Sequence, residues 1–169
     1  MARVAQPRIG QEPSLLRQQG IPIALVLAGS LTTLFPMIAT TAILPPFGLL
    51  FMLSWRSLHR DLWPVWMPLF LGAFDDLFSG QPIGSAMLLW TTAFLIMDAT
   101  DKRFVWRDFW QEWTLAAGMI TLVLTGGLAI ANMTGGNTPL LYIIPQTLIT
   151  ICLFPLTSRI CAALDKRRF

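Results

Sequence analysis

Residues 62–97 read LWPVWMPLFLGAFDDLFSGQPIGSAMLLWTTAFLIM and consist of two apolar runs joined by a short polar turn. The runs are Leu62–Phe78 and Pro82–Met97, and only the residues SGQ separate them. Glycine accepts backbone angles that other residues avoid, and proline is well suited to the first turn of a helix. The stretch therefore predicts a tight antiparallel pair of helices, with two adjacent acids, Asp75 and Asp76, close to the turn.

The composition of the whole chain places this hairpin in a membrane protein. Of 169 residues, 54% are hydrophobic and only 12% are charged, whereas soluble domains contain about 25% charged residues. The two cysteines, Cys152 and Cys161, are separated by about 13 Å along a helix, which is too far for a disulfide within the chain. We therefore predict an all-α polytopic membrane protein whose thiols serve as apolar fillers rather than as a redox pair.

The apolar runs predict a basic arm over 1–20, a single six-helix domain over 21–163 and a basic tail over 159–169. A proline pair, Pro45–Pro46, marks the start of a short second span, and the sequence leaves open whether the apolar stretch 36–46 before it is helical. The six predicted transmembrane helices have the approximate bounds 21–39, 45–57, 62–78, 82–98, 113–133 and 139–158.

The distribution of basic residues predicts the orientation of these spans. All 12 Lys and Arg residues fall in the arm, the 56–61 loop, the 98–112 loop and the tail. Because cytoplasmic loops are enriched in Lys and Arg, we expect both termini in the cytoplasm and the hairpin turn on the outer side. The net charge of +3 is then the usual bias of an inner-membrane protein facing anionic lipid, and it indicates no nucleic-acid partner.

The acid Asp76 is expected to fix the hairpin turn. An acid inside a membrane is costly without a partner, and no Lys or Arg is predicted on the outer side. The candidate partners are Gln81, the hydroxyls of Ser79 and Ser85, and the N–H groups at the start of the fourth span, which carry a partial positive charge. We expect Gly80 to permit the turn and Pro82 to start the next helix. Asp75 lies on another helix face, where we expect it to be solvated at the membrane boundary.

The sequence offers no residues for catalysis, for a cofactor or for a metal site. The single histidine, His59, is predicted to be solvated in a cytoplasmic loop, and a zinc site would lack ligands. Adjacent aspartates also differ from the paired acids of aspartic proteases, which come from separate elements. In the sixth span, Gln146 and Thr150 are one turn apart, and we expect them to form hydrogen bonds between helices.

A motif in the hairpin resembles one in the rod shape-determining protein MreD family. Residues 72–84 follow the pattern G-x-x-x-D-x-x-S-G-x-x-x-G, and the second span PPFGLLFMLSWR and the closing LFPLTSRICAALDKRRF are also similar to that family. Two departures are the additional acid Asp75 and Thr150, at a position where an amide side chain is expected. The candidate structural or interaction residues are Gly72, Asp76, Ser79, Gly80, Pro82 and Gly84.

The resemblance implies a non-catalytic inner-membrane component of the bacterial cell-elongation complex. Such a protein would bind MreC. It would work with RodA, a class B penicillin-binding protein and MreB in lateral peptidoglycan synthesis. The sequence leaves open whether the chain forms a homodimer. The family also looks similar in architecture to the substrate-binding subunits of energy-coupling-factor transporters. The alternative function is therefore a solute-binding transporter subunit, which predicts a polar pocket near Asp76, Ser79 and Gln81.

Overall fold

A computed structural model of the chain describes residues 15–34, 44–60, 62–103 and 108–166. Within these ranges all regular structure is helical and no strand occurs, so the all-α prediction is confirmed for the described residues. Short 3-10 turns precede α6 and follow α1. The six α-helices are α1 (Leu15–Leu31), α2 (Phe47–Leu58), α3 (Met67–Ser79), α4 (Ser85–Arg103), α5 (Phe109–Met133) and α6 (Ile144–Lys166).

The helices pack side by side in the circular order α1, α3, α4, α5, α6, α2 and back to α1. Contacts between their ends show that α1 runs in the same direction as α3, and α2 in the same direction as α6, while the short turn between α3 and α4 makes those two helices antiparallel. Thr33, just after α1, donates to the carbonyl of Phe78 near the end of α3 at 3.3 Å. Gln146, near the start of α6, donates to the carbonyl of Leu44 before α2 at 2.7 Å. The chain therefore forms an antiparallel bundle with two distinct ends.

We call the two ends of the bundle the charged end and the hairpin end. At the charged end the last turns of α2, α4 and α6 meet through ion pairs. The hairpin end is the one where residues 79–84 connect α3 to α4, and Asp75 and Asp76 lie one turn below it. The residues that form ion pairs at the charged end are Arg56, His59, Arg60, Asp98, Asp101, Lys102 and Asp165.

Large side chains fill the interior of the bundle. Trp55, Trp90 and Phe94 are at most 2% exposed, and the ring of Trp90 reaches across to Gly48 at the start of α2. Burial of side chains of this size removes the most apolar area per residue and leaves little free space between the helices. The centre of the bundle is a packed core.

Several helices begin or end at residues other than the bounds of the predicted spans. The predicted loop 98–112 is helical on both sides, since α4 continues to Arg103 and α5 begins at Phe109; residues 104–107 lie outside the described residues. The third helix begins at Met67 rather than near residue 62, with Pro68 in its first turn. The stretch 36–46 lies mostly outside the described residues, and α2 begins directly after Pro46.

Two of the described helical segments are long and apolar enough to cross a membrane. They are Phe109–Met133 and Leu140–Lys166. Two further segments, Gln19–Leu34 and Phe47–Leu58, are apolar but shorter. By length and composition these segments fit insertion into a membrane.

Candidate functional site: the clamp between the third and fourth helices

Asp76 points from α3 at the first turn of α4, where its carboxylate accepts four hydrogen bonds. The N–H groups of Gly84, Ala86 and Met87 donate at N···O distances of 2.9, 2.8 and 3.3 Å. The hydroxyl of Ser85 donates at 3.1 Å. Asp76 is only 3% exposed. The carboxylate thus satisfies N–H groups that have no partner within α4 and lies against the positive end of that helix.

Two glycines shape the turn that brings α4 under this carboxylate. Gly80 ends α3 with φ = 69° and Gly84 precedes α4 with φ = 97°, and both angles lie in the left-handed region that glycine adopts at little cost. Between them the carbonyl of Pro82 accepts the N–H of Ser85 at 3.0 Å. Pro82 therefore lies in the turn and does not start the helix as predicted, because α4 begins three residues later, at Ser85.

Gly72 lets the backbones of α3 and α4 touch. A Cβ atom at this position would lie 2.8 Å from the carbonyl carbon and oxygen of Ala86 and from Cα of Met87. Gly72 is one turn before Asp76 on the same face of α3, because residues four apart on a helix lie above one another. The close approach at Gly72 holds the donors of α4 within reach of the carboxylate.

The remaining polar residues of the turn have separate contacts. The hydroxyl of Ser79 is buried and forms no hydrogen bond with any described residue, so it is not a partner of Asp76. The hydroxyl of Ser85 also lies 3.3 Å from Oε1 of Gln81, and this Gln81 oxygen would be 3.2 Å from a Cβ at Gly127 of α5. The turn therefore packs on α5 as well as joining α3 to α4.

Asp75 lies on a different face of α3 from Asp76. Its side chain is partly buried and faces the hydroxyl of Ser30 on α1. We expected a solvated carboxylate at the membrane boundary, but Asp75 sits where α1 and α3 pack together. The two adjacent acids thus face two different neighbours.

A buried ion-pair cluster at the charged end was not predicted from the sequence. Arg56 is 2% exposed, and its Nη2 lies 2.8 Å from Oδ2 of Asp101 and 3.5 Å from Oδ1 of Asp98. The guanidinium carbon is 4.9 Å from the ring centre of Phe94, which adds a cation–π contact. Lys102 contacts Asp98 at 2.8 Å from the solvent side. The cluster joins α2 to α4.

His59 lies just after α2 and its side chain is 41% exposed, so it is partly solvated as predicted, but it also has protein partners. Its Nε2 lies 3.0 Å from Oδ2 of Asp165 in the last turn of α6. The imidazole is nearly parallel to the indole of Trp55, with ring centres 6.5 Å apart.

The two polar residues of α6, Gln146 and Thr150, form different kinds of hydrogen bond. Gln146 forms the predicted hydrogen bond outside its own helix, to the carbonyl of Leu44. Thr150 instead donates to the carbonyl of Gln146 within α6 at 2.6 Å. Only the amide joins separate segments of the chain.

The arrangement around Asp76 is suited to holding two helices together rather than to a reaction. Both carboxylate oxygens are occupied by donors from Gly84 and the first residues of α4. In the part of the chain that the structure describes, no group of three or more His, Cys, Asp or Glu side chains could hold a metal ion. The hairpin is therefore a structural clamp, built from one carboxylate and the first turn of the next helix.

Comparison with known proteins identifies a family. The family model described as rod shape-determining protein MreD matches residues 16–158, a range that contains the clamp, the helices α2 to α5 and most of α1 and α6. No curated protein and no solved structure matches the chain.

Proposed function

The chain belongs to the rod shape-determining protein MreD family, a family of membrane proteins, and on this basis we propose that it is a non-catalytic component of the bacterial cell-elongation complex in the inner membrane. Family membership supports a role in determining rod shape. We further propose that the chain binds MreC and works with RodA, a class B penicillin-binding protein and MreB in lateral peptidoglycan synthesis. No enzymatic domain is indicated.

The observation that carries this proposal is the clamp at Asp76. A scaffold must present its helices in one fixed arrangement to its partners, and a buried carboxylate with four donors from α4 fixes α3 against α4. Because hydrogen bonds to a charged group contribute about 1.5–3 kcal/mol each, this contact is among the strongest in the bundle. We propose that the residues Gly72 to Gly84 hold the surface that partners recognise.

We propose that the bundle crosses the membrane six times, with the charged end and both termini in the cytoplasm. The alternation of helix directions and the ion pairs at one end support this orientation, since basic residues concentrate in cytoplasmic segments. The helices α2 and α3 are shorter than an upright span of about 20 residues. Side-by-side packing with their neighbours would shield their ends. The fold would then be similar to that of the substrate-binding subunits of energy-coupling-factor transporters, as the family resemblance implies.

The alternative, a solute-binding transporter subunit, has less support. It requires free polar groups near Asp76, but both carboxylate oxygens bond to α4, and the interior is filled by Trp90 and Phe94. An open groove of about 610 Å³ lies between α4 and α5, and its lining is mostly apolar. The amide of Asn132 at its edge is bonded to the backbone of Thr138. The groove thus offers a solute no free polar group from this side chain.

The proposal is tested by replacing Asp76 in cells that lack the native protein. We expect Asp76→Asn and Asp76→Ala to reduce the amount of MreC that co-purifies with the tagged chain and to produce rounded cells. The effect of Ala should exceed that of Asn, because Asn keeps one acceptor for the α4 donors. Microscopy of cell width and quantitative blotting of MreC measure the two outcomes.

The matched control is Asp108→Asn, which removes one negative charge from an exposed residue without a side-chain hydrogen bond to α5. Cells with this variant should remain rods and recover MreC normally. Rod-shaped Asp76→Asn cells with unchanged MreC recovery would contradict the proposed role of the clamp. Saturable binding of a vitamin-sized solute to the purified wild-type chain would instead favour the transporter function.

A further inference from the structure

The exposed face of α6 changes from apolar to basic along its length. Leu148 and Leu156 are both more than half exposed, and Cys152 between them is also exposed. Arg159 and Lys166 follow toward the charged end, and both are exposed. Because residues three, four and seven positions apart share one face of a helix, these five residues form a single stripe. We call it the α6 stripe; its apolar part precedes its basic part.

The two cations of the α6 stripe form no ion pair with any residue that the structure describes. Other cations at the charged end do have acidic partners. Arg60 lies 3.9 Å from a carboxylate oxygen of Asp101, and Lys102 lies 2.8 Å from one of Asp98. The α6 stripe therefore presents positive charge that described acids do not balance.

Two tryptophans at the start of α5 lie beside α6. The indole N–H of Trp113 donates to the carbonyl of Ile151 at 3.3 Å. This carbonyl lacks the usual donor four residues later, because Pro155 inside α6 has no N–H. Trp110 packs edge-on against Trp113 with ring centres 6.0 Å apart, and it is 70% exposed. Trp113 is thus fixed against α6 and supports the exposed indole of Trp110.

The groups along the seam between α5 and α6 follow the order of a bilayer boundary. Arg159 is eight residues after Ile151, about 12 Å farther toward the charged end along α6, and so lies beyond the two indoles. Tryptophan prefers the boundary between hydrocarbon and headgroups, and the long stems of Arg and Lys carry their charges from there toward water. An apolar surface, an aromatic level and a basic level therefore succeed one another.

We propose that the α6 stripe and Trp110 form a binding site for an anionic phospholipid of the cytoplasmic leaflet. The lipid phosphate accepts hydrogen bonds from Arg159, whose guanidinium can donate two in parallel. Lys166, two turns later, adds a second positive charge. An acyl chain lies along the apolar part of the stripe. A free phosphate, or an acidic protein segment in water, would make no use of that apolar part.

The inference rests on the proposed membrane orientation, because the charged end must face a lipid leaflet, but it does not depend on MreC. The full chain is reconstituted in vesicles of phosphatidylethanolamine and phosphatidylglycerol, and the lipids retained after extraction are counted by native mass spectrometry. We expect wild type to retain the anionic phosphatidylglycerol in preference. Arg159→Gln and Lys166→Gln should each lower this retention about fivefold, the effect of one cation near an anionic surface.

Two further variants separate a built site from general charge. Arg159→Lys should retain an intermediate amount of phosphatidylglycerol, because it keeps the charge but loses the paired hydrogen bonds. The matched control is Lys102→Gln, which removes one positive charge from an exposed residue that is already paired with Asp98 at the same end of the bundle. It should retain as much phosphatidylglycerol as wild type.

Three results would overturn the inference. The first is wild-type retention of phosphatidylglycerol by both Arg159→Gln and Lys166→Gln; reduced MreC recovery with these variants would then assign the cations to a protein partner. The second is an equal loss from Lys102→Gln, which would make the preference one of overall charge. The third is a lowered midpoint of thermal unfolding in Arg159→Gln, which would make Arg159 a structural residue. If wild type inserts without preferring phosphatidylglycerol, only this inference fails; if it does not insert, the proposed membrane location fails with it.

Discussion

Gly72 allows α3 and α4 to come close enough for Asp76 to accept hydrogen bonds from the start of α4. The backbones of α3 and α4 meet at this residue, and the atoms that a Cβ would strike belong to the backbone of Ala86 and Met87. Backbone atoms of a packed helix cannot move aside as the end of a flexible side chain can. A single methyl group at Gly72 should therefore separate the two helices and lengthen the hydrogen bonds to Asp76.

We expect Gly72→Ala to destabilise the chain by about 1–3 kcal/mol, the usual range for overpacking. The midpoint of thermal unfolding in detergent should fall by several degrees. The matched control is Gly118→Ala on α5, where a Cβ meets nothing within 4 Å and alanine favours the helix by about 1 kcal/mol. A midpoint for Gly72→Ala equal to that of Gly118→Ala would show that the close approach is unimportant.

The sequence allowed only part of the clamp to be predicted. The absence of basic residues near the hairpin limited the predicted partners of Asp76 to hydroxyls, an amide and helix N–H groups. In the structure, the partners are N–H groups at the start of α4 and the hydroxyl of Ser85. The amino-acid sequence could not show that Ser79 forms no hydrogen bond with Asp76. The direction of a hydroxyl depends on where α3 ends, and Gly80 sets that end through its left-handed conformation.

At the scale of helices, Arg56 and its two acids connect α2 across the bundle to α4, which is not one of its neighbours in the circular order. Asp98 and Asp101 are three residues apart and share one face of α4, which brings both carboxylates to the same guanidinium. Nothing in the sequence pairs Arg56 with residues more than 40 positions later, so this contact required the bundle geometry. These charged residues also continue α4 to Arg103, within the predicted 98–112 loop.

We expect Arg56→Ala to destabilise the chain by about 3–5 kcal/mol, because it removes a buried guanidinium that contacts both Asp98 and Asp101. Lys102→Ala is the control, since Lys102 contacts the same Asp98 but is 76% exposed. An exposed pair contributes about 0–1 kcal/mol and is screened by salt. Thermal melts at low and high salt should show a large, salt-insensitive loss for Arg56→Ala only. Equal losses for the two variants would contradict the distinction between a buried and an exposed ion pair.

At the scale of the whole molecule, charge is separated along the axis of the bundle. The described ion pairs lie at one end, and among the described residues the charged groups of the other end are the two acids of the hairpin. An alternating bundle with this separation has one orientation that agrees with the positive-inside rule. The sequence predicted the separation from loop composition alone, whereas the circular order of the helices came only from their contacts.

The proposed orientation is tested with cysteines at the two ends of α5. Asp108 directly precedes this helix and Asn137 follows it, and both residues are exposed. In a chain whose two native cysteines are replaced, a membrane-impermeant thiol reagent should label Asn137→Cys in intact spheroplasts. It should label Asp108→Cys only after permeabilisation. Labelling of both sites in intact spheroplasts, or of Asp108→Cys alone, would rule out the six-span orientation.

The clamp has a further consequence for how the chain enters the bilayer during synthesis. Separately, α3 would carry a bare carboxylate and α4 a set of unpaired N–H groups into hydrocarbon, and each of these is costly there. When the two helices are paired, the carboxylate and the N–H groups satisfy each other, and the bonded residues are only 8 to 11 positions apart in the chain. In the proposed six-span arrangement, we therefore expect the pair to leave the translocation channel at lower cost as a single two-helix unit than as two successive helices. Residues 72–87 would then be a unit of membrane insertion before they are part of the finished bundle.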